Sequence, residues 1–379
     1  MNNADRLQPG IFFRAGERPP PCFRLQLFNV APDTRPRDLH AALGRLFDCL
    51  DELREGRTAD LGALPDPEAA LFADVCATLA IGRRLFDERH HDPPLSDRPR
   101  PAFLAYLDQR SEAFPTTPWH DDPPHNTGEA DLALQLIGPH DGAVNCTLIE
   151  IWKRIADDAL PLRPVATFSG FGRPDGRGWL DFYDGVSNLE GSQRRTAIEV
   201  LGDPLWMAGG TYMAFLRFRI DLARWRALTQ PQQEALVGRD KRTGRPAGID
   251  GDDPSAFIDP PETTNRGLEM SHIHRANQSR ASPSAPGALR IFRQGYDFLD
   301  TLGPGGPELG LNFISFQSDL ATLQHLLHLP EWLGDVNFGG PPGSPSFVTL
   351  ADGGFYAVPP RGRPFAGADL FRSPIERKA

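Results

Sequence analysis

The first half of the chain places strand-like segments ahead of helix-like ones. Residues 23–30 (FRLQLFNV) alternate apolar and polar side chains, which predicts a half-buried strand. Apolar residues then recur three or four positions apart through 38–55, the spacing of one face of a helix. A second strand is predicted at 132–137 (LALQLI), and a helix is predicted after it at 145–159. Strand followed by helix is the typical opening of an α+β unit.

The second half of the chain repeats this order. Residues 211–220 (TYMAFLRFRI) predict a strand, and residues 222–229 and 232–237 predict helix. Residues 310–317 (GLNFISFQ) predict another strand, with a helix after it at 319–327. We therefore expect two α+β halves with antiparallel sheets, which a chain of 379 residues is long enough to form.

The many glycines and prolines indicate that long loops connect the predicted strands and helices. The chain contains 37 glycines and 38 prolines, too many for a helical bundle. Three stretches are predicted to be loops, at 96–128, 238–265 and 278–287. Long loops of this kind often cover or frame a site.

Composition and charge exclude several classes of partner. The formal net charge of −10 disfavours broad contact with nucleic acid or anionic lipid, because phosphate binding needs clustered Lys and Arg. No stretch approaches the roughly 20 consecutive apolar residues of a membrane helix. Met1 to Arg6 are polar, without an apolar signal segment or a twin arginine, so the cytoplasm is the expected location. A small molecule or another protein is the expected partner.

The cysteines give no sign of a zinc or disulfide-exchange site. They are widely scattered and form no CxxC pair, so we expect buried free thiols. They are Cys22, Cys49, Cys76 and Cys146.

The segment 271–277 (SHIHRAN) is the first candidate for chemistry. His272 and His274 would share one face of a strand, as paired ligands do in some non-haem metal sites. In a loop, either histidine could act alone, and both could equally be polar surface residues. The spacing leaves these alternatives open.

Two further segments each contain a charged residue that is a candidate for a functional site. Arg293 lies in 288–296 (ALRIFRQGY), where it could pair with a carboxylate, hold an anion or face solvent. Asp184 lies in 181–188 (DFYDGVSN), where Asp-Gly is either an ordinary turn or a turn that projects an acid/base group into a pocket.

Taken together, these three segments resemble the signature set of the dye-decolorizing peroxidases, a family of haem proteins. In that family an Asp-Gly motif supplies the distal aspartate, and it aligns with Asp184 and Gly185. The histidine that opens a segment of the type HIRRAN ligates the iron, and it aligns with His272 in HIHRAN. An arginine before x-Gly follows some twenty residues later, and Arg293 stands 21 residues after His272.

The resemblance extends along essentially the whole chain. Ordered blocks similar to the family lie at 7–18, 80–87, 128–135, 209–225, 237–246 and 310–319. So many blocks in one order are very improbable by chance.

The resemblance implies a fold and a division of the chain. It implies an α+β protein of two ferredoxin-like halves with antiparallel sheets, arranged like a dimeric α+β barrel, with haem in the C-terminal half. Residues 1–195 are then an N-terminal domain that carries the distal aspartate loop. Residues 196–379 are a C-terminal haem-binding domain.

The resemblance also implies a reaction. With haem b held by His272, the protein would reduce hydrogen peroxide and oxidise a small organic reductant through a ferryl intermediate. Asp184 would move the peroxide proton, and Arg293 would stabilise the developing negative charge. Arg293 and Gly185 would also help to bind the cofactor. Asp319 is implied as the carboxylate that accepts from the free ring nitrogen of His272. Family members are often oligomeric, which allows a homo-oligomer.

Two positions depart from the family pattern, and three alternatives stay open. Asp181 replaces the first glycine of the usual GxxDG motif, and His274 replaces the usual arginine after His-Ile. The alternatives are a haem-dependent tailoring oxygenase or peroxygenase acting on a specific small molecule, a non-catalytic haem-binding protein, and a non-haem metal enzyme that uses both histidines. Aromatic residues could relay electrons, but the sequence singles out none.

Overall fold

The fold is taken from a computed structural model of the chain. It describes residues 6–14, 16–65, 68–99, 130–186, 188–202, 204–247, 266–277, 290–303, 306–320, 322–323 and 347–372. Most of the predicted loops at 96–128, 238–265 and 278–287 lie outside these ranges, as does much of the predicted helix at 319–327.

Eight antiparallel strands close into one barrel in the order β1-β5-β4-β10-β7-β9-β8-β6. The first half supplies β1 (Cys22–Val30), β4 (Cys76–Gly82), β5 (Leu132–Gly138) and β6 (Leu162–Phe171). The second half supplies β7 (Thr211–Ile220), β8 (Phe292–Gly303), β9 (Gly306–Gln317) and β10 (Val348–Val358). A separate two-stranded hairpin consists of β2 (Arg57–Thr58) and β3 (Gly62–Ala63). The expected α+β fold with antiparallel sheets is confirmed, and the two sheets form one continuous wall.

Helices lie outside this wall. They are α1 (Pro36–Arg54), α2 (Asp141–Asp157), α3 (Gly191–Ile198), α4 (Leu222–Ala227), α5 (Gln230–Val237), α6 (Arg266–Glu269) and α7 (His272–Asn277). Short 3-10 turns occur at Glu68–Phe72, Arg83–Phe86, Leu205–Met207 and Ala368–Leu370.

Local sequence explains several helix ends. Proline stands in the first turn of α1, where its missing N–H removes no hydrogen bond. The ring of His140 caps α2 by accepting from the N–H of Ala143 at 3.2 Å, so this helix begins four residues earlier than the pattern predicts. A capping box of Thr229 and Gln232 opens α5, and Gly238 ends it in the left-handed conformation.

The two halves meet at two seams of the barrel. Tyr356 and Ala357 of β10 pair with Gly82 and Ile81 of β4. On the opposite side, a single described pair, Phe171 with Asp297, joins β6 to β8. The second seam has the fewer ladder pairs among the described residues, and the segment that follows β6 covers it from outside.

Two kinds of apolar layer hold the fold together. Large side chains such as Phe23, Phe215 and Phe316 fill the barrel interior and are fully buried. Helices α1 and α2 cover the outer face of β1, β4 and β5 through a second apolar cluster. The burial of these clusters is the main favourable contribution to folding.

The strand alternation of β8 decides which residues reach the outside. Phe292 and Tyr296 belong to the interior cluster. Arg293, Gly295 and Asp297 alternate with them and therefore face outward. The outer face of β8 is where the candidate site forms.

Among the described residues, no helix is both long and apolar enough to cross a membrane. The four cysteines are free thiols, of which Cys49 is buried and the other three are partly buried.

Candidate active site

The segment after β6 folds back over β8 as a tight loop that carries Asp184. A bridge between Arg177 and Tyr183 closes it, and the N–H of Asp184 donates to the carbonyl of Gly176 at 2.9 Å. Gly185 then takes φ +75°, which a residue with a Cβ rarely adopts. The glycine of the Asp-Gly sequence is therefore favoured by the backbone at this turn.

Asp181 fits the position where the family motif usually has glycine. Its φ is +65°, in the left-handed region, where aspartate is one of the few tolerated side chains. Its carboxylate accepts from Arg173 at 3.1 Å, and Lys241 lies 4.0 Å away. The substitution thus preserves the turn and adds ion pairs at its outer edge.

The loop brings Asp184 to Arg293, although the two are 109 residues apart in the chain. Nη2 of Arg293 donates to Oδ1 of Asp184 at 3.2 Å. The same oxygen accepts from the N–H of Gly185 at 2.7 Å. The side chain of Asp184 is 42% exposed and that of Arg293 is 32% exposed, so the pair is accessible to a small reactant.

Asn188 fixes the loop to the strand. Its Nδ2 donates to the carbonyl of Arg293 at 2.7 Å, and its Oδ1 accepts from the N–H of Arg293 at 3.1 Å. One side chain thereby satisfies both backbone groups of the residue that carries the guanidinium. Sequence reasoning missed this role, and the only available signal was an asparagine four residues after Asp184.

Gly295 leaves the space that the carboxylate needs. A Cβ built on Gly295 would lie 2.4 Å from Oδ2 of Asp184 and 3.3 Å from Leu311. Carbon and oxygen cannot approach so closely, so a side chain here would displace Asp184. The glycine two residues after Arg293 is therefore explained by the space that the carboxylate of Asp184 occupies.

Arg293 lies close enough to two other guanidinium groups to influence their pKa values. Burial lowers the pKa of Arg239 to about 10, and the charge of Arg293 lowers it as well. Burial, and then the charge of Arg293, also lower the pKa of Arg290. The Arg239 side chain donates to the carbonyl of Gly244 at 2.8 Å. A concentration of positive charge in a partly buried place is suited to the carboxylates of an anionic ligand.

His272 and His274 lie on a helix, not on a strand. They are the first and third residues of α7, and positions two apart on a helix point about 200° apart. A paired chelate on one face is therefore not formed by this backbone. His274 is buried and its Nδ1 lies 2.9 Å from Oγ of Ser271, whereas His272 is partly exposed.

The loop 238–247 links the histidine helix to the aspartate loop. A Cβ on Gly238 would meet Oγ of Ser271 at 2.3 Å, so this turn packs directly on the start of α7. At the other end, Arg177 donates to the carbonyls of Lys241 at 2.6 Å and Arg242 at 3.1 Å. Positions of α7 and of the Asp184 loop are thus coupled through one short segment.

Asp319 follows β9 and is exposed. Its role as a partner of His272 stays a prediction. Among the described residues, no cluster of three or more His, Cys, Asp or Glu side chains could hold a metal ion.

The segment that carries these residues matches a known protein family. The sequence profile described as "Dyp-type peroxidase, C-terminal" matches residues 175–363, which include Asp184, His272 and Arg293. The chain belongs to the DyP-type peroxidase family. The prediction made from the three motifs is therefore confirmed.

Curated relatives of this DyP-type protein carry the name deferrochelatase. The protein of Shigella flexneri serotype 5b is 28% identical over 267 residues, 64% of this chain and 57% of its own length. The protein of Yersinia pseudotuberculosis is 28% identical over 334 residues, 79% of this chain and 73% of its own length. The chain thus spans little more than half of the Shigella relative.

Solved structures share the fold. The DyP-type peroxidase of Cellulomonas bogoriensis has a TM-score of 0.74, 20% identity and 94% coverage of both chains. A complex of DtpA from Streptomyces lividans has a TM-score of 0.74 at 21% identity, covering 97% of this chain and 98% of the other. A DypB variant of Rhodococcus jostii, in complex with heme, has a TM-score of 0.62 at 19% identity over 97% of this chain and 99% of the other.

Proposed function

We propose that this chain is a haem b-dependent peroxidase that reduces hydrogen peroxide and oxidises a small organic reductant. The observation that carries the proposal is the Asp184–Arg293 pair on the outer face of β8. It combines a proton-moving group with a fixed cation in an accessible place, in a chain that belongs to the DyP-type family.

The donor set fits haem. His272 is a partly exposed imidazole at the start of α7, and an imidazole is a suitable ligand for haem iron. Arg239, Arg290 and Arg293 form a cationic cluster suited to the two carboxylates of the porphyrin. We propose His272 as the iron ligand, and Asp319 as the carboxylate that orients it. When bound, the haem would supply the two electrons that cleave the O–O bond, one from its iron and one from its porphyrin ring.

The side chains of this chain then have separate roles. Asp184 takes a proton from one peroxide oxygen and returns it to the other, which leaves as water. Arg293 stabilises the negative charge on the departing oxygen and holds the carboxylate of Asp184 at 3.2 Å. Gly185 donates its N–H to the same carboxylate and so fixes its orientation. Asn188 and Gly295 set the distance between loop and strand.

We further propose that the barrel consists of two ferredoxin-like units, residues 1–195 and 196–379. The strand order supports this, since each half contributes four consecutive barrel strands, β6-β1-β5-β4 and β10-β7-β9-β8. In both, the first and last strands of the unit are neighbours, and the third strand lies between the first and the second. Haem then belongs to the C-terminal unit through His272, while Asp184 reaches it from the N-terminal unit.

Absorption spectroscopy with peroxide turnover tests the proposal. Protein produced with ample haem precursor should show an intense Soret band and should oxidise a generic dye with hydrogen peroxide. Haem retention without dye or donor oxidation would favour a haem-binding protein, and oxygen insertion into one small molecule would favour a tailoring oxygenase. Colourless protein would overturn the haem assignment altogether.

A further inference from the structure

Asp297 is a buried carboxyl group that the proposed reaction does not use. It lies on β8, two residues after Gly295 and four after Arg293, on the same outward face. The residue is only 5% exposed, although it is an aspartate. Aspartate is rarely buried without a reason, because an ionised carboxylate loses its hydration.

The loop that carries Asp184 is what buries Asp297. A Cβ on Gly178 would lie 3.6 Å from Oδ1 of Asp297, so the loop backbone passes directly over the carboxyl group. The backbone N–H of Trp179 donates to that carboxyl, and the indole of Trp179 donates to the carbonyl of Phe298 at 2.9 Å. Asp297 therefore lies at the base of the loop whose other end holds Asp184.

The charged groups around Asp297 come from the same loop. Asp184 and Asp175 raise its pKa, and Arg173 lowers it. From the neighbouring strands, the residues paired with Asp297 are apolar, Phe171 on β6 and Leu311 on β9. Burial is the largest cause and raises the pKa of Asp297 to about 7. This carboxyl group therefore changes charge near neutral pH.

We propose that Asp297 is a positioning residue whose protonation state sets the charge beside the Asp184–Arg293 pair. The inference rests on the proposed peroxidase function. With Asp297 protonated, Asp184 and Arg293 balance each other. With Asp297 ionised, the three groups carry one net negative charge, which opposes the negative charge that develops on the departing peroxide oxygen.

The test compares the wild type, Asp297→Asn and Glu308→Gln across pH. Glu308 is an exposed carboxylate on β9, 3.6 Å from Arg219, and serves as a matched control. In the wild type and in Glu308→Gln, the rate constant for reaction with peroxide should fall as the pH rises through about 7. In Asp297→Asn it should stay flat through that range and be about 3- to 10-fold faster than wild type near pH 8.5. An unchanged profile in Asp297→Asn would overturn the inference.

A second measurement does not depend on turnover. Infrared difference spectra of the wild-type protein should show the C=O band of a protonated carboxyl group that disappears as the pH rises through about 7. That band should be missing in Asp297→Asn and present in Glu308→Gln. If the band is present but no peroxide reaction occurs, the proposed function fails and the charge assignment stands. If peroxide reacts but no such band depends on Asp297, the assignment fails and the function stands.

Discussion

At the scale of single residues, the site depends on close approach as much as on charge. Gly295 allows Asp184 to lie against β8, because any Cβ there would be 2.4 Å from the carboxylate oxygen. The guanidinium of Arg293 can then reach that carboxylate at 3.2 Å. Two glycines, Gly185 for its φ and Gly295 for its lack of a side chain, thus position one acid.

Gly295→Ala should slow the reaction with peroxide by about 100-fold, because it displaces the carboxylate by the order of an ångström. Haem content should be unchanged, since His272 lies on another element. Gly44→Ala is the matched control, because a Cβ at Gly44 meets nothing within 4 Å in helix α1. Stopped-flow mixing with peroxide measures both. Equal rates for the two variants would contradict this steric explanation.

Arg293→Ala should reduce the same rate constant more than Asp184→Ala does, with a loss of about 100- to 1000-fold. Water can carry a proton in place of Asp184, but water cannot supply the fixed positive charge of the guanidinium. Arg293→Lys should recover part of the loss, because it restores the charge without the planar fork. The reverse order of the two alanine variants would refute this division of roles.

At the scale of elements, one side chain contributes two of the hydrogen bonds that hold the Asp184 loop against β8. Asn188 satisfies both the N–H and the carbonyl of Arg293. Asn188→Ala should lower the free energy of local opening of residues 176–186 by about 1–3 kcal/mol, because two backbone groups lose their partner. Hydrogen exchange by mass spectrometry should show faster exchange in this loop and unchanged exchange in β7. Unchanged protection of the loop would show that other contacts hold it.

The two histidines of helix α7 are expected to have different roles, His272 as the haem ligand and His274 as a buried structural residue. His272→Ala should abolish the Soret band of the purified protein. His274→Ala should keep it, while lowering the free energy of unfolding by about 1–3 kcal/mol, because Ser271 loses a buried partner. Loss of haem in His274→Ala with retention in His272→Ala would move the ligand assignment by two residues.

At the scale of the whole molecule, Asp297 links stability to pH. Its pKa is about 7 in the folded chain and near the ordinary value of 3.8 in the unfolded chain, so the folded chain binds this proton more tightly. The contribution is fully present below about pH 4 and is lost as the pH rises towards 7. The loss is at most about 4 kcal/mol.

Urea unfolding of the wild type and of Asp297→Asn at several pH values measures this contribution. The difference between the two proteins should change by up to about 4 kcal/mol in favour of the variant from pH 4 to pH 8. The sign follows because only the wild type must ionise a buried group at the higher pH. A constant difference across pH would mean that Asp297 titrates with its ordinary pKa.

Much of the fold could be predicted from periodicity. The strand at Thr211–Ile220 was predicted with its observed bounds, and α1 agrees within two residues. Short helices were harder, since the six residues of α7 span less than two turns and give no clear period. The partner of a buried Arg239, and the purpose of Asn188, leave no mark on local sequence.

Sequence patterns alone were enough to predict the family and the elements with a clear period, among them β1, β5, β7 and β9. Alternation and helical spacing follow from which side chains must leave water, and the motif residues are local in the chain. Which residues come together at the site depends on the folded chain. Asp184 and Arg293 are 109 residues apart, and Asp297 becomes buried only when the loop folds over β8. Such contacts depend on barrel closure and strand register, which are properties of the whole molecule rather than of any segment.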